Sequence, residues 1–264
     1  MALTTQNFGP HIVLAVEGVV ARLLVDKPPL NLLSKSVVTD LSAALRDIAA
    51  RSDLRVLILS GGGERAFIAG VDVTDMVMFN TDSARHFITL LHSCMASLRR
   101  LPIPVIGRIN GYALGGGCEM AMACDLRIAS TRAQFGMPEV RLGIPSVIEA
   151  ALMPIQIGAT RAMELLLTGK MIDAATAQQW GLVNRVVADA ELDRAIDEEV
   201  QMLLQSGPRA IAAQKQLFYE WMDSTLSHSI RLGIDAFTRA YTSEEPREGM
   251  RAFQNKSRPH WSPG

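Results

Sequence analysis

The sequence predicts an α/β core followed by a helical C-terminal part, and three observations lead there. Up to about residue 135, short β-branched runs alternate with segments of helical period. Beyond it, helical patterns dominate, which fits an α/β core carrying a helical appendage. With 264 residues, 48% of them hydrophobic, the chain is long enough to bury a full core.

The elements follow in order. Val13 to Val16 and Val19 to Val25, parted by Glu17-Gly18, read as a hairpin that Pro28-Pro29 ends. Val37, Val38, Leu41, Leu45 and Ile48 recur at helical spacing, with Ser34 or Ser36 as cap. Leu54 to Leu59 is a buried strand stopped by Ser60-Gly61-Gly62-Gly63, and Ala66 to Gly70 reads as extended or turning. Asp82 or Ser83 opens a helix that runs to about Leu101, where Pro102 and Pro104 stop it. Val105 to Ile109 is a strand, Gly115 to Cys124 a short helix and Leu126 to Ala129 a strand. Helices are expected near 146–157, 159–167, 173–180, 190–205, 208–222, 226–241 and 244–254, with one strand at Asn184 to Val187. Gly143-Ile144-Pro145 and Ser206-Gly207-Pro208 are the joints, the second dividing a core of 1–205 from a helical region of 206–264.

Composition removes several function classes. Lys+Arg 26 against Asp+Glu 27 leaves a net charge of −1, so nothing points to nucleic acid or an anionic membrane as partner. Apolar runs break well before the ~18–20 residues of a membrane span. The opening MALTTQNFGPHIV lacks the pattern of a targeting segment, so the expectation is a soluble cytoplasmic protein. Cys94, Cys118 and Cys124 have no ligand-spaced partners and read as small core hydrophobes. His86 and His92 are six apart rather than at i, i+4, so no metal site is expected.

Two segments share one design: a buried strand, then a glycine-bearing loop, then a helix. They are Leu57 to Asp72 and Val105 to Glu119. Small residues at a helix start leave N–H groups unpaired and reachable, and the dipole there favours negative charge. Two such loops side by side would aim two donors at one oxygen, the requirement for stabilising an enolate or tetrahedral oxyanion. Gly61-Gly-Gly-Glu-Arg-Ala66 matches the dinucleotide fingerprint literally, but the chain after it is extended where a helix should open. No Gly-Lys-[Ser/Thr] follows either loop, which excludes a P-loop. The plainer reading of Gly115 to Gly117 is close packing of a buried helix.

Glu119 stands in the first turn of a helix that is apolar almost all round, where a carboxylate is costly unless it is bonded or used. Glu139, beside Pro138, supplies a second carboxylate. Taken alone, Glu119 also reads as a helix-start acid and Glu139 as a surface-loop acid. Together with the two loops they form a set for general acid–base work, one carboxylate activating water while the other moves a proton at carbon.

These residues resemble the crotonase (enoyl-CoA hydratase/isomerase) family. The resemblance rests on Ala66-Phe-Ile-Ala-Gly-Val-Asp72, Asn110-Gly-Tyr-Ala-Leu-Gly-Gly-Gly-Cys-Glu119, Cys124-Asp125, Gln134-Phe-Gly-Met-Pro-Glu139 and Leu166-Leu-Thr-Gly169, with Gly181-Leu-Val and Glu248-Gly-Met250 extending it. It implies a superhelix of ββα repeats with a C-terminal helical trimerisation region, in a homotrimer or dimer of trimers. It also implies Ala69 and Gly116 as the N–H donors to a thioester oxygen, Glu119 as the carboxylate on water and Glu139 as the one that exchanges a proton with the acyl chain. Having both carboxylates favours hydration of a 2-enoyl-CoA to a 3-hydroxyacyl-CoA. No cofactor is implied beyond the coenzyme A of the substrate. That moiety would lie along Ala66, Ile68, Ala69, Gly70, Val71 and Asp72, with Lys27, and Lys256 or Arg258, as phosphate partners. The other readings are a different acyl-CoA reaction (double-bond isomerase, decarboxylase, thioester hydrolase) or a non-catalytic binding relative.

One stretch departs from the family pattern. Leu142-Gly-Ile-Pro-Ser-Val-Ile-Glu-Ala150 is one residue short, Ser146 stands where glycine is usual, and Glu149 enters nearby. Ser146 is expected to cap a helix. Glu149 reads either as a solvated helix residue or as a third acid, whose like charge would hold one carboxylate protonated. Helix 83–101 and Met76 to Phe79 are candidates to line the acyl pocket, although core packing explains their apolar residues equally well.

Overall fold

The computed structural model describes residues 3–261. The chain opens with β1 (Thr4–Phe8), β2 (Ile12–Glu17), β3 (Val20–Val25) and α1 (Lys35–Ala49). Then come β4 (Val56–Gly61), β5 (Ala66–Ile68), α2 (Val73–Met76) and α3 (Thr81–Arg100). The next repeat is β6 (Val105–Ile109), β7 (Tyr112–Leu114) and α4 (Gly116–Ala123). After β8 (Leu126–Ser130) and β9 (Gln134–Gly136) come two 3-10 turns, Glu139–Leu142 and Ile148–Leu152, then α5 (Met153–Ile157) and α6 (Ala159–Thr168). The rest is β10 (Met171–Asp173), α7 (Ala174–Trp180), β11 (Arg185–Val187), α8 (Leu192–Leu204), α9 (Pro208–Met222), α10 (Leu226–Ala240) and α11 (Glu245–Gln254).

Each repeat sends its first strand into one sheet and its second into another. The large sheet runs β1-β2-β3-β4-β6-β8-β11, and the small one β10-β9-β7-β5. From β3 onward the large sheet is parallel, while β1, β2 and β3 form an antiparallel meander. The ββα superhelix is therefore present, with helices wholly dominating after residue 206. Val56, Ile58, Ile106 and Ile128 face α8, while Leu57, Leu59, Val105 and Ile109 belong to the main core with α1, α3 and α4. Strands buried on both faces show no alternation, which is why they read as continuous apolar runs.

The small sheet positions the site. β5 and β7 are parallel neighbours, Ile68 opposite Ala113, and β7 and β9 are parallel neighbours, Leu114 opposite Gly136. The segments leaving the ends of these three strands, at Ala69, Gly115 and Met137, must emerge side by side.

Three expectations need correction. The helix expected over 146–157 is a 3-10 turn and a five-residue α5, since Pro145, Pro154 and a left-handed Ile148 (φ 46°) interrupt it. Ser146 caps nothing, because Val147 stands at the cap of that turn and makes no side-chain bond. The cap of α3 is Asn80, not Asp82 or Ser83; Asn80 and Ser83 bond each other's backbone N–H groups at 2.9 Å. At α1 the cap is Ser34, which accepts from the Val37 N–H.

Candidate active site

α4 is the central element, and both of its ends are pinned. At its start the Gly115 N–H donates to the Gly136 carbonyl at 2.9 Å. A Cβ on Gly117 would lie 1.8 Å from the Ile68 carbonyl oxygen, so the helix meets β5 more closely than any other residue permits. At its end the buried Arg127 guanidinium donates to the carbonyls of Cys124 (2.6 Å) and Ala121 (3.2 Å), the cation a helix C-terminus favours. Cys118 and Cys124, like Cys94 on α3, are free and fully packed, and burial pushes their thiols up to about 12.

The two loops do adjoin, but in the first loop the Ala69 N–H is not free. The Ala69 N–H is already given to the Leu30 carbonyl at 3.0 Å. Around Val71 the Gly70 carbonyl and the Asp72 N–H are both taken by Leu33, and the extended chain turns the Val71 N–H the other way. Among the described residues Val71 N–H has no acceptor. Gly116 is the first residue of α4, so its N–H has no intrahelical partner, and its neighbour Gly115 supplies no side-chain cap. A Cβ built on Gly116 would lie 3.2 Å from Val71 Cγ2, which fixes how near the loops come. The missed signal was alternation: Ala69 and Val71 flank Gly70, and only hydrogen-bond accounting tells them apart.

Both loops open into a cavity of about 520 Å³. Met76, Phe79, Phe87, Ile88 and Leu91 make its apolar wall; of the segment Met76 to Phe79 only the two end residues line it, and α3 supplies the other three. Ala69, Gly70, Val71, Gly116, Glu119 and Glu139 face it. Glu119 is buried, and its Oε1 accepts the Ala150 N–H at 2.9 Å. Burial pushes its carboxyl up to about 8; the Ala150 N–H opposes this, and the charges of Glu139 and Glu149 add to it. Glu139 is half-buried and its Oε2 accepts from Ser146 Oγ at 2.7 Å. Its other oxygen lies where a Cβ on Gly115 would sit, 2.4 Å away, so Gly115 clears space for it.

The remaining predicted residues distribute differently. Ala66 and Ile68 are fully buried in β5, so their side chains reach no ligand. Lys27 Nζ pairs with Asp72 Oδ2 at 3.0 Å, and that contact holds the Asp72 carboxyl below its ordinary range. Neither residue lines the cavity, and nor do Lys256 and Arg258 beyond α11. Glu149 is not solvated; it lies outside the cavity lining, but as a third acid its like charge does add to the raised proton affinity of Glu119. Glu149 is 2% exposed and its Oε1 accepts from Arg99 (2.9 Å) and His92 Nδ1 (3.0 Å). The motif Cys124-Asp125 is architectural: Asp125 accepts from the Val105 N–H, Lys215 and Tyr219, which docks α9 on the core. No group of metal-ligating side chains occurs among the described residues.

Comparison with known proteins identifies the family. The sequence profile of the enoyl-CoA hydratase/isomerase family matches residues 16–263. A short-chain-enoyl-CoA hydratase of Clostridium acetobutylicum is 35% identical over 248 residues, 93% of this chain and 95% of the relative. A crotonyl-CoA hydratase of Syntrophomonas wolfei is 34% identical over the same shares. The crystal structure of an enoyl-CoA hydratase from Bacillus anthracis superposes with a TM-score of 0.91 at 30% identity, covering all of both chains. The chain belongs to the enoyl-CoA hydratase/isomerase family of enzymes.

Proposed function

We propose that the protein hydrates 2-enoyl-CoA thioesters to 3-hydroxyacyl-CoA. The observation that carries this is the convergence of two carboxylates, Glu119 and Glu139, with two N–H groups, Val71 and Gly116, that have no partner among the described residues, at one apolar cavity. With the thioester oxygen between the two N–H groups, charge moving onto it as water adds at C3 is met by donors already in place. Each such donor is worth ~10²–10³ in rate. Ionised Glu119 takes the proton of the attacking water, and Glu139, entering as the neutral acid, gives its proton to C2, so the enolate collapses to product and the two carboxyls have exchanged protonation states. The hydratase names of the relatives from Clostridium acetobutylicum and Syntrophomonas wolfei support the same reaction. The chemistry needs no cofactor besides the coenzyme A of the substrate.

Two further readings go with it. Leu226, Ile230, Ile234 and Phe237 are exposed apolar residues spaced along one side of α10, which suits burial against further copies in a trimer or dimer of trimers. Free, buried cysteines suit a reducing compartment such as the cytoplasm, and no helix among the described residues is long and apolar enough to cross a membrane.

A double-bond isomerase is the second reading, and the high affinity of Glu119 for its proton favours it: Glu139 alone would shuttle the proton while Glu119 stays neutral. Loss of the conjugated enoyl-thioester absorbance of crotonyl-CoA separates the two. A hydratase loses activity in both Glu119→Gln and Glu139→Gln. Full hydration by Glu119→Gln, or none by the wild type, would sink the proposal.

A further inference from the structure

We infer that Glu149, clamped by Arg99 and His92, is a positioning residue for Glu119; the role rests on the proposed acid–base use of Glu119. The chain of contacts is short. Ala150, the residue after Glu149, gives its N–H to Glu119 Oε1, and this is the protein hydrogen bond the buried carboxylate accepts among the described residues. That N–H belongs to the 3-10 turn Ile148–Leu152, whose first residue has φ 46°, a conformation a β-branched residue strongly resists. A turn in that state persists only when its surroundings over-determine it.

Glu149 supplies the fixing. Its side chain leaves the turn on the side away from the substrate cavity and meets α3. Arg99 and His92 are seven residues apart, two turns on one face of that helix, and both reach Glu149 Oε1. A carboxylate 2% exposed is costly without such partners, so the ion pair and the seating of the turn form or fail together. α3 also provides Phe87, Ile88 and Leu91 to the cavity wall. One helix therefore shapes the acyl pocket with one part of its surface and fixes the Glu119 carboxylate with another. The stretch that departs from the family pattern, Ser146 to Ala150, places Ser146 Oγ on Glu139 and Ala150 N–H on Glu119, so both carboxylates are oriented by this one short segment.

The test compares Arg99→Met and Arg99→Lys with the wild type in two readouts. The first is steady-state hydration of crotonyl-CoA. The second is titration of the Glu119 side chain by carboxyl-carbon NMR in the free protein, its signal assigned with Glu119→Gln. The titratable and charged groups around Glu119 are Glu139 and Glu149, with Arg99 and His92 behind Glu149. Losing Arg99 frees the turn and leaves Glu149 less compensated, and both changes hold the Glu119 proton more tightly. Arg99→Met is expected to lower kcat by about 10- to 100-fold with KM within about twofold, since a small misplacement of a reacting group costs that much. The Glu119 titration should move up by about half a pH unit or more, and Arg99→Lys should restore most of both. Unchanged titration and kcat in Arg99→Met overturn the role, as does a lower melting midpoint with Glu119 titrating as in the wild type. If Arg99→Met does not fold, His92→Ala, at the exposed rim of the clamp, takes its place with the same two readouts. A wild type that does not hydrate crotonyl-CoA, but whose Glu119 titration moves on losing Arg99, would sink the reaction and leave the clamp standing.

Discussion

Ser146 Oγ donates to Glu139 Oε2 at 2.7 Å, so a residue that departs from the family pattern holds one of the two carboxylates facing the cavity. Glu139 sits at the start of a 3-10 turn with Gly143 in the left-handed region at its end, and the chain then doubles back through Pro145 to bring Ser146 beside it. The carboxylate is thereby aimed before substrate arrives. A hydrogen bond contributes ~0.5–1.5 kcal/mol net, so one that orients a proton donor matters mainly to the chemical step. Ser146→Ala is expected to lower kcat about tenfold while leaving KM within about twofold, in steady-state assays with crotonyl-CoA. Equal kcat for Ser146→Ala and wild type would show the bond to be incidental.

The distinction between Ala69 and Val71 is testable one atom at a time. Replacing the amide at a single position by an ester removes the N–H and leaves every side chain in place. At Val71, where the N–H has no acceptor among the described residues, the ester should cost ~10²–10³ in kcat with little change in melting temperature. At Ala69, whose N–H bonds Leu30, it should lower the melting temperature and spare the chemical step. The opposite pattern would return the oxyanion role to Ala69.

Much of this site was legible in the sequence because the costly residues are local. Three glycines and a carboxylate inside an apolar stretch, Gly115 to Glu119, have few structural excuses, and the structure uses each: Gly115 for room beside Glu139, Gly117 for the approach to Ile68, Gly116 at the unpaired helix start. What the sequence did not disclose depends on pairing between distant segments. β5, β7, β9 and β10 are three residues each, too short to show a period, so the small sheet that sets the loops side by side stayed hidden. β1 is almost wholly exposed and polar, hence without an apolar signal. Glu149 could not be read, because its partners Arg99 and His92 lie 50 and 57 residues away. Ala69 and Val71 differ only in which way an N–H turns, and Leu30 and Leu33 decide that.

The exposed side of α10 makes a prediction about assembly. Ile234 and Phe237 are 61% and 68% exposed, and charging them costs a separate chain little. If they lie between subunits, Ile234→Glu with Phe237→Asp should reduce the mass found by light scattering to that of one chain, while circular dichroism keeps its helical signal. A mass unchanged from the wild type would move the interface elsewhere.

The raised proton affinity of Glu119 has two consequences at opposite ends of one titration. In the unfolded chain the carboxyl ionises near its ordinary value of 4.5, and in the folded protein near 8. Between these values the folded state holds a proton that the unfolded state has released, so this group favours folding below about pH 4.5, and that advantage is lost as pH rises to about 8. Each tenfold gain in proton affinity corresponds to ~1.4 kcal/mol, and partial exposure to cavity water reduces the sum. Glu119→Gln removes the titration, so its melting temperature relative to the wild type should rise from pH 5 to pH 9. Catalysis reports the upper end. If ionised Glu119 accepts the proton of water while neutral Glu139 supplies C2, the competent enzyme holds one proton between the two carboxyls, so kcat/KM must fall above about pH 8, where both are ionised, because kcat/KM reports the free enzyme. A fall already under way at pH 6, with a melting difference that does not change with pH, would mean that Glu119 is ionised throughout. The carboxylate would then be stabilised by more than the single Ala150 N–H.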